Sequence, residues 1–345
     1  MSANNDKLIF LAKLFSLIEK NFIYVSKKYI SVPLKINYYY KKYNPNSIIR
    51  VKLVPCKGYK LGDVDNSFIE SIEFYANIIF YFIGVIEKNF PKEALTNFYN
   101  NINSITVEEV KNIIGKKDAI GFYDFLNNKI GLKENQIASI YHELFHMSST
   151  RKVGTLYYCG FAIYDKDKAY GVGLNEGYTQ LMTERYFEND RTLNFLSKNY
   201  GVRNSRNVVG NSYSLQTLIA YKVEQIIGKD KMENLYLNAN PYGLRDELMK
   251  YASKEEINNF IINLEFLHYN IADVFRFSVN SKKIYKAYVQ ICAFLFNCYR
   301  KKIVLEHGKY YVYRKEFEKE YINDLEKVYD AFFSYGDTNN NNRRK

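Results

Sequence analysis

The chain has 345 residues, 47% of them apolar and 25% charged, which excludes a disordered or collagen-like chain and leaves ample material for a core. Its net charge is +12, but the lysines are spread along the whole length, so the excess reads as compositional bias, as do the 34 tyrosines. Nucleic acid is therefore not the expected partner. The four cysteines, Cys56, Cys159, Cys292 and Cys298, form no CxxC pair and read as reduced, buried thiols of a cytoplasmic protein.

Taken in chain order, residues 6–31 predict an amphipathic helix with no small-residue cleavage site after it, so no signal peptide is expected. Residues 34–40 and 48–55 predict short strands on either side of the turn-forming Asn44-Pro45-Asn46. Residues 66–90 predict a strongly apolar helix ended by Pro91. Its most apolar stretch, Phe74 to Ile86, covers about 13 residues, short of the ~20 that span a bilayer. Further helices are expected over 91–101 and 106–115, the second capped by Thr106 with Glu109 three places on. Residues 118–132 carry β-rich runs around Asn127-Asn128 and predict a hairpin or edge strand. A helix over 134–149 follows. A second hairpin is expected over 154–174, with LYYCGFAIY as one arm, a polar turn at residues 165–168, and AYGVGL as the other. Helices over 175–188 and 213–227 come next, the latter closed by Gly228. From 230 to 335 the pattern is almost wholly helical, and residues 336–345 form a polar tail expected to be disordered.

The chemistry concentrates in His142-Glu143-Leu144-Phe145-His146. Two histidines four apart on a helix share one face, so both imidazoles can reach one cation. Zinc accepts neutral imidazole. Glu143, next to the first ligand, can take a proton from a water in the open metal position and pass it to a leaving amine. The chain holds only four histidines, so chance gives this HExxH pattern about 0.003 times. Ile137, Ile140, Tyr141 and Leu144 form an apolar stripe at helical spacing, which predicts a partly buried helix. A third ligand is still needed. Glu176, early in the next predicted helix, is the candidate, and Gly177 beside it is expected to let that helix pack closely against the first.

HELFH followed by LNEGYTQ resembles the gluzincin metallopeptidases, over residues 118–188. The resemblance implies His142, His146 and Glu176 as ligands of one Zn²⁺ per chain and Glu143 as general base. It also implies that the segment 118–132 is an edge strand above the cleft, where a peptide adds as an extra strand. Where such enzymes often place an aspartate that orients a metal histidine, this chain has Gln180, with Glu184 one turn on as an alternative. They commonly stabilise the oxyanion with a downstream Tyr or His; Tyr213 is the first candidate here and His268 the second, while His307 reads as solvated.

The expected fold is α+β and predominantly helical, with a zincin-like core in which a small sheet or edge strand covers the HExxH helix. The expected divisions are a mostly helical region with short strands over 1–110, the metallopeptidase core over 111–240, a helical region over 241–335, and the tail. The expected function is zinc-dependent hydrolysis of a peptide or an exposed protein loop. A catalytically silent binding module and a regulatory protease with one cytoplasmic target stay open at this point, as does the oligomeric state.

Overall fold

A computed structural model of the chain describes residues 35–39, 48–53, 78–110, 121–133, 139–192, 213–275 and 281–307, apart from positions 80, 103, 167 and 190. The helix expected over 6–31, Cys56 and the polar tail lie outside the described residues. What is described is α+β and mostly helical, as the sequence pattern predicts.

Strands β1 (Lys35–Tyr39) and β2 (Ile48–Leu53) form antiparallel partners where the two β-rich runs fall. Strand β3 (Thr106–Val110) corrects the sequence expectation of a helix starting at Thr106. It lies parallel to β2 on one side and to β5 (Lys129–Lys133) on the other, with Val107 and its partner Ile130 both fully buried. A capping preference is worth about 1 kcal/mol, less than pairing on both sides and burying a β-branched side chain. The rest of that expected helix, 111–115, lies outside the described residues.

Strand β4 (Gly121–Asp124) pairs antiparallel with β5 as the predicted hairpin. Asp124 Oδ1 accepts the N–H groups of Leu126 and Asn127, and Asn128 takes a left-handed φ of 48° that its short polar side chain tolerates. The sheet order is β1-β2-β3-β5-β4, so β4 is an edge among the described residues. This sheet joins strands on both sides of position 110, the expected end of the N-terminal region.

A second sheet is an antiparallel meander of β6 (Thr150–Val153), β7 (Leu156–Cys159), β8 (Ala162–Asp165) and β9 (Lys168–Tyr170). The LYYCGFAIY run is two strands, where the sequence predicts one. Gly160 turns the chain with φ 54°, and a Cβ there would stand 2.3 Å from Asn175 Oδ1. The expected polar turn lies between β8 and β9.

The helices are α1 (81–89), a short 3-10 turn at Lys92–Leu95, α2 (Thr96–Ile102), α3 (Ile140–Ser148), α4 (Val172–Phe187), α5 (Ser214–Ile227), α6 (Lys229–Leu237), α7 (Pro241–Leu248), α8 (Lys254–Phe275) and α9 (Ser281–His307). Among the described residues no helix is long and apolar enough to cross a membrane. All nine residues of α3 are buried, beyond the partial burial its apolar stripe predicts. An aromatic cluster clamps it: Tyr141 stacks on Phe187 at 4.1 Å, Phe187 on Phe82 at 5.2 Å, and Phe145 meets Phe82 edge-on at 5.3 Å. Burying a side chain of this size stabilises by about 1.5–3 kcal/mol.

The close approach at Gly177 is to α5, not to the HExxH helix as the sequence suggests: a Cβ there would lie 2.2 Å from the Gln216 carbonyl oxygen. Backbone cannot swing aside, so Gly177→Ala should lower stability by about 1–3 kcal/mol, read from a denaturation midpoint. An unchanged midpoint would contradict this contact. On another side of α4, Arg185 bonds Glu224 Oε2 and Glu233 Oε1, each at 2.8 Å. Tyr178 donates to Glu224 and Tyr186 to Glu233, so both buried acids are paired and α4, α5 and α6 are tied together.

Candidate metal centre

Helix α3 presents its histidines from an end that is held in place. Ser148, Ser149 and Thr150 each donate a hydroxyl back to the carbonyl four residues earlier, at 2.6, 3.0 and 2.7 Å. These bonds satisfy the last carbonyls and stop the helix after Ser148. Asn101 Nδ2 donates to the Met147 and Thr150 carbonyls, pinning that end to α2.

His142 and His146, one turn apart, point their Nε2 atoms at each other at 3.0 Å. Glu176 reaches between them from α4: its Oε2 lies 3.0 Å from His142 Nε2 and 3.4 Å from His146 Nε2. Ligand atoms about 2.0–2.1 Å from a tetrahedral zinc stand about 3.3–3.4 Å apart, so the spacing suits such an ion. The histidines are 6% and 7% exposed. Burial alone would push both kinds of group toward their neutral forms. The facing charges outweigh it, raising His146 well above the ordinary imidazole range and holding Glu176 well below the ordinary carboxylate range.

The ring atoms away from the cluster have partners in two adjacent rows of α4. In one row, Gln180 Oε1 lies 3.3 Å from His142 Nδ1, and Gln180 Nε2 donates to Glu184 Oε1 at 2.9 Å. The two candidates for the orienting role thus act in series. Glu184 fixes which end of the amide faces the ring, and Gln180 accepts Nδ1–H, leaving Nε2 free for a metal. Gln180→Leu should weaken zinc binding about 10–100-fold with the fold intact, measured by competition with a chromophoric chelator. Unchanged affinity would remove this role. In the other row, Asn175 Nδ2 and Thr179 Oγ1 lie 3.3 and 3.5 Å from His146 Nδ1. Asn175, Thr179 and Thr183, spaced four apart, are all fully buried.

Glu143 is 6% exposed and faces the edge strand. A Cβ on Gly121 would stand 2.2 Å from Ser139 Oγ and 3.1 Å from Glu143 Oε1, so this glycine lets β4 come down onto the general-base candidate. Tyr213, just before α5, lies at the site too. Its ring stacks on His142 at 5.5 Å. The Glu176 charge, burial and the Glu143 charge together push its pKa well up, so it stays a donor. His268 stacks on the far side of Tyr213 at 5.9 Å, so the two oxyanion candidates of the sequence adjoin each other. His307 closes α9 and is not part of the cluster.

Sequence reasoning missed Cys159, read only as a small core residue. It is buried and its sulfur lies 3.5 Å from His146 Nδ1. Glu265 was also missed: its Oε1 accepts the Gly173 N–H at 3.1 Å, holding the first turn of α4 from α8. His142, His146 and Glu176 are the group of potential metal-binding side chains found among the described residues. Comparisons with protein-family models, with curated proteins and with solved structures give no match.

Proposed function

We propose that this chain is a zinc-dependent metallopeptidase of gluzincin type, with a zincin-like core formed by α3, α4 and the edge strand β4. The observation that carries the proposal is the convergence of two imidazole nitrogens and one carboxylate oxygen within 3.0–3.4 Å of one another, with the Gln180 amide oxygen 3.3 Å from His142 Nδ1. His142, His146 and Glu176 would hold one Zn²⁺. When bound, the ion polarises a scissile carbonyl and eases the deprotonation of water.

The remaining work belongs to the chain's own side chains. Among the described residues one side of β4 carries no partner strand, and its N–H and C=O groups would meet an extended peptide running beside Glu143. Glu143 removes a proton from the attacking water and returns it to the departing amine. Tyr213 donates its hydroxyl to the oxygen that gains charge as the carbonyl carbon becomes tetrahedral. Gln180 keeps the His142 ring from turning.

Cleavage of a diverse peptide pool, with and without chelator and with zinc restored, tests the proposal. New termini should appear with the zinc-loaded chain, vanish with chelator and return with zinc. A pool left intact under all three conditions, by a chain shown to carry zinc, would leave binding without hydrolysis.

A further inference from the structure

We infer that Cys159 is a positioning residue of the metal centre: its sulfur accepts the Nδ1–H of His146 and so selects the tautomer whose Nε2 is free for a cation. The inference rests on the metal role proposed for His142, His146 and Glu176.

Three groups surround His146 Nδ1, and their other bonds distinguish them. Asn175 Oδ1 is taken by the Phe161 N–H at 3.1 Å, so its amide turns the NH₂ end toward the ring at 3.3 Å. An NH₂ cannot accept a proton. Asn175 favours the opposite tautomer, with hydrogen on Nε2, which cannot ligate. Thr179 Oγ1 is 3.5 Å from the ring nitrogen, too long for a good N–H···O bond, and is engaged with the Asn175 carbonyl at 2.7 Å and Tyr236 Oη at 2.6 Å. The Cys159 sulfur lies 3.5 Å from Nδ1, a normal separation for the larger atom, and 3.5 Å from the His146 carbonyl oxygen. The thiol donates to that carbonyl, which directs sulfur lone pairs at the ring of the same residue. The β7–β8 turn fixes the arrangement, since the next residue, Gly160, donates its N–H to the Ser149 carbonyl at 2.8 Å. Ring orientation by a thiol is weaker than by a carboxylate, so the choice of tautomer at His146 is finely set against Asn175.

The test uses zinc affinity and the visible absorption of the Co²⁺-substituted protein, in the full chain, with thermal unfolding of the metal-free form as a folding control. Cys159→Ala should bind zinc about 10–100-fold more weakly than wild type and alter the Co²⁺ spectrum. Adding Asn175→Asp to that variant puts an acceptor where the amide NH₂ stood and should restore most of the affinity. Wild-type affinity in Cys159→Ala, or no recovery in the double variant, overturns the inference. If Cys159→Ala does not fold, Cys159→Ser decides: it keeps an acceptor, and a loss beyond about a hundredfold overturns the idea. A wild-type chain that takes up no metal overturns the proposed function and this inference together. One bound zinc with an indifferent Cys159 overturns only the inference.

Discussion

Glu143→Gln is expected to keep its metal and to lose peptide hydrolysis by about 10²–10⁴-fold. The amide matches the carboxylate in size, so the packing of a residue 6% exposed between α3 and β4 survives. What it lacks is basicity: an amide cannot take a proton from water or deliver one to an amine. The comparison needs zinc content and turnover measured on the same samples. Equal zinc with a rate lowered by orders of magnitude agrees with the general-base role. Equal zinc with an undiminished rate removes that role and moves the chemistry elsewhere.

Glu176→Ala should cost more zinc affinity than any orienting residue, well beyond the about 10–100-fold of a second-sphere loss. It removes one of the three proposed ligands and leaves two imidazoles 3.0 Å apart without the carboxylate that faces both. The fold should persist, because α4 is held independently by the Arg185 bonds to Glu224 and Glu233 and by the Glu265 bond to its first turn. Far-UV circular dichroism should therefore stay constant while zinc is lost. Zinc bound at the proposed site would compete with protons for His146, whose pKa the Glu176 charge raises, so affinity should fall as pH is lowered. A Glu176→Ala protein with full zinc at wild-type affinity would remove Glu176 from the ligand set.

The sequence made the centre of this site legible because its signals are local and dense. HExxH fixes two side chains on one helix face, and the next helix start carries a glutamate with an amide one turn on. The β4–β5 hairpin was legible from its turn residues for the same reason. Legibility ended where long-range pairing decides the outcome. Thr106-Val107-Glu108-Glu109 reads as a capped helix start until β2 and β5 flank it on both sides. Gly177 signals a close approach but not which helix approaches, and the Gln216 carbonyl lies 39 positions along the chain. Cys159 carries no spacing that ties it to His146, because the contact is made by the β7–β8 turn folding under α3. Tyr213 could be singled out from 34 tyrosines only by its position before a helix; its place against the His142 ring arises from how α5 packs on α4.

Anomalous diffraction at the zinc absorption edge, from crystals of the chain grown with one equivalent of zinc, measures the convergence itself. One strong peak is expected about 2.0–2.2 Å from His142 Nε2, His146 Nε2 and a Glu176 oxygen. Full zinc supply with no peak there, or with a peak held by other side chains while Glu176 turns away, would contradict the shared metal site.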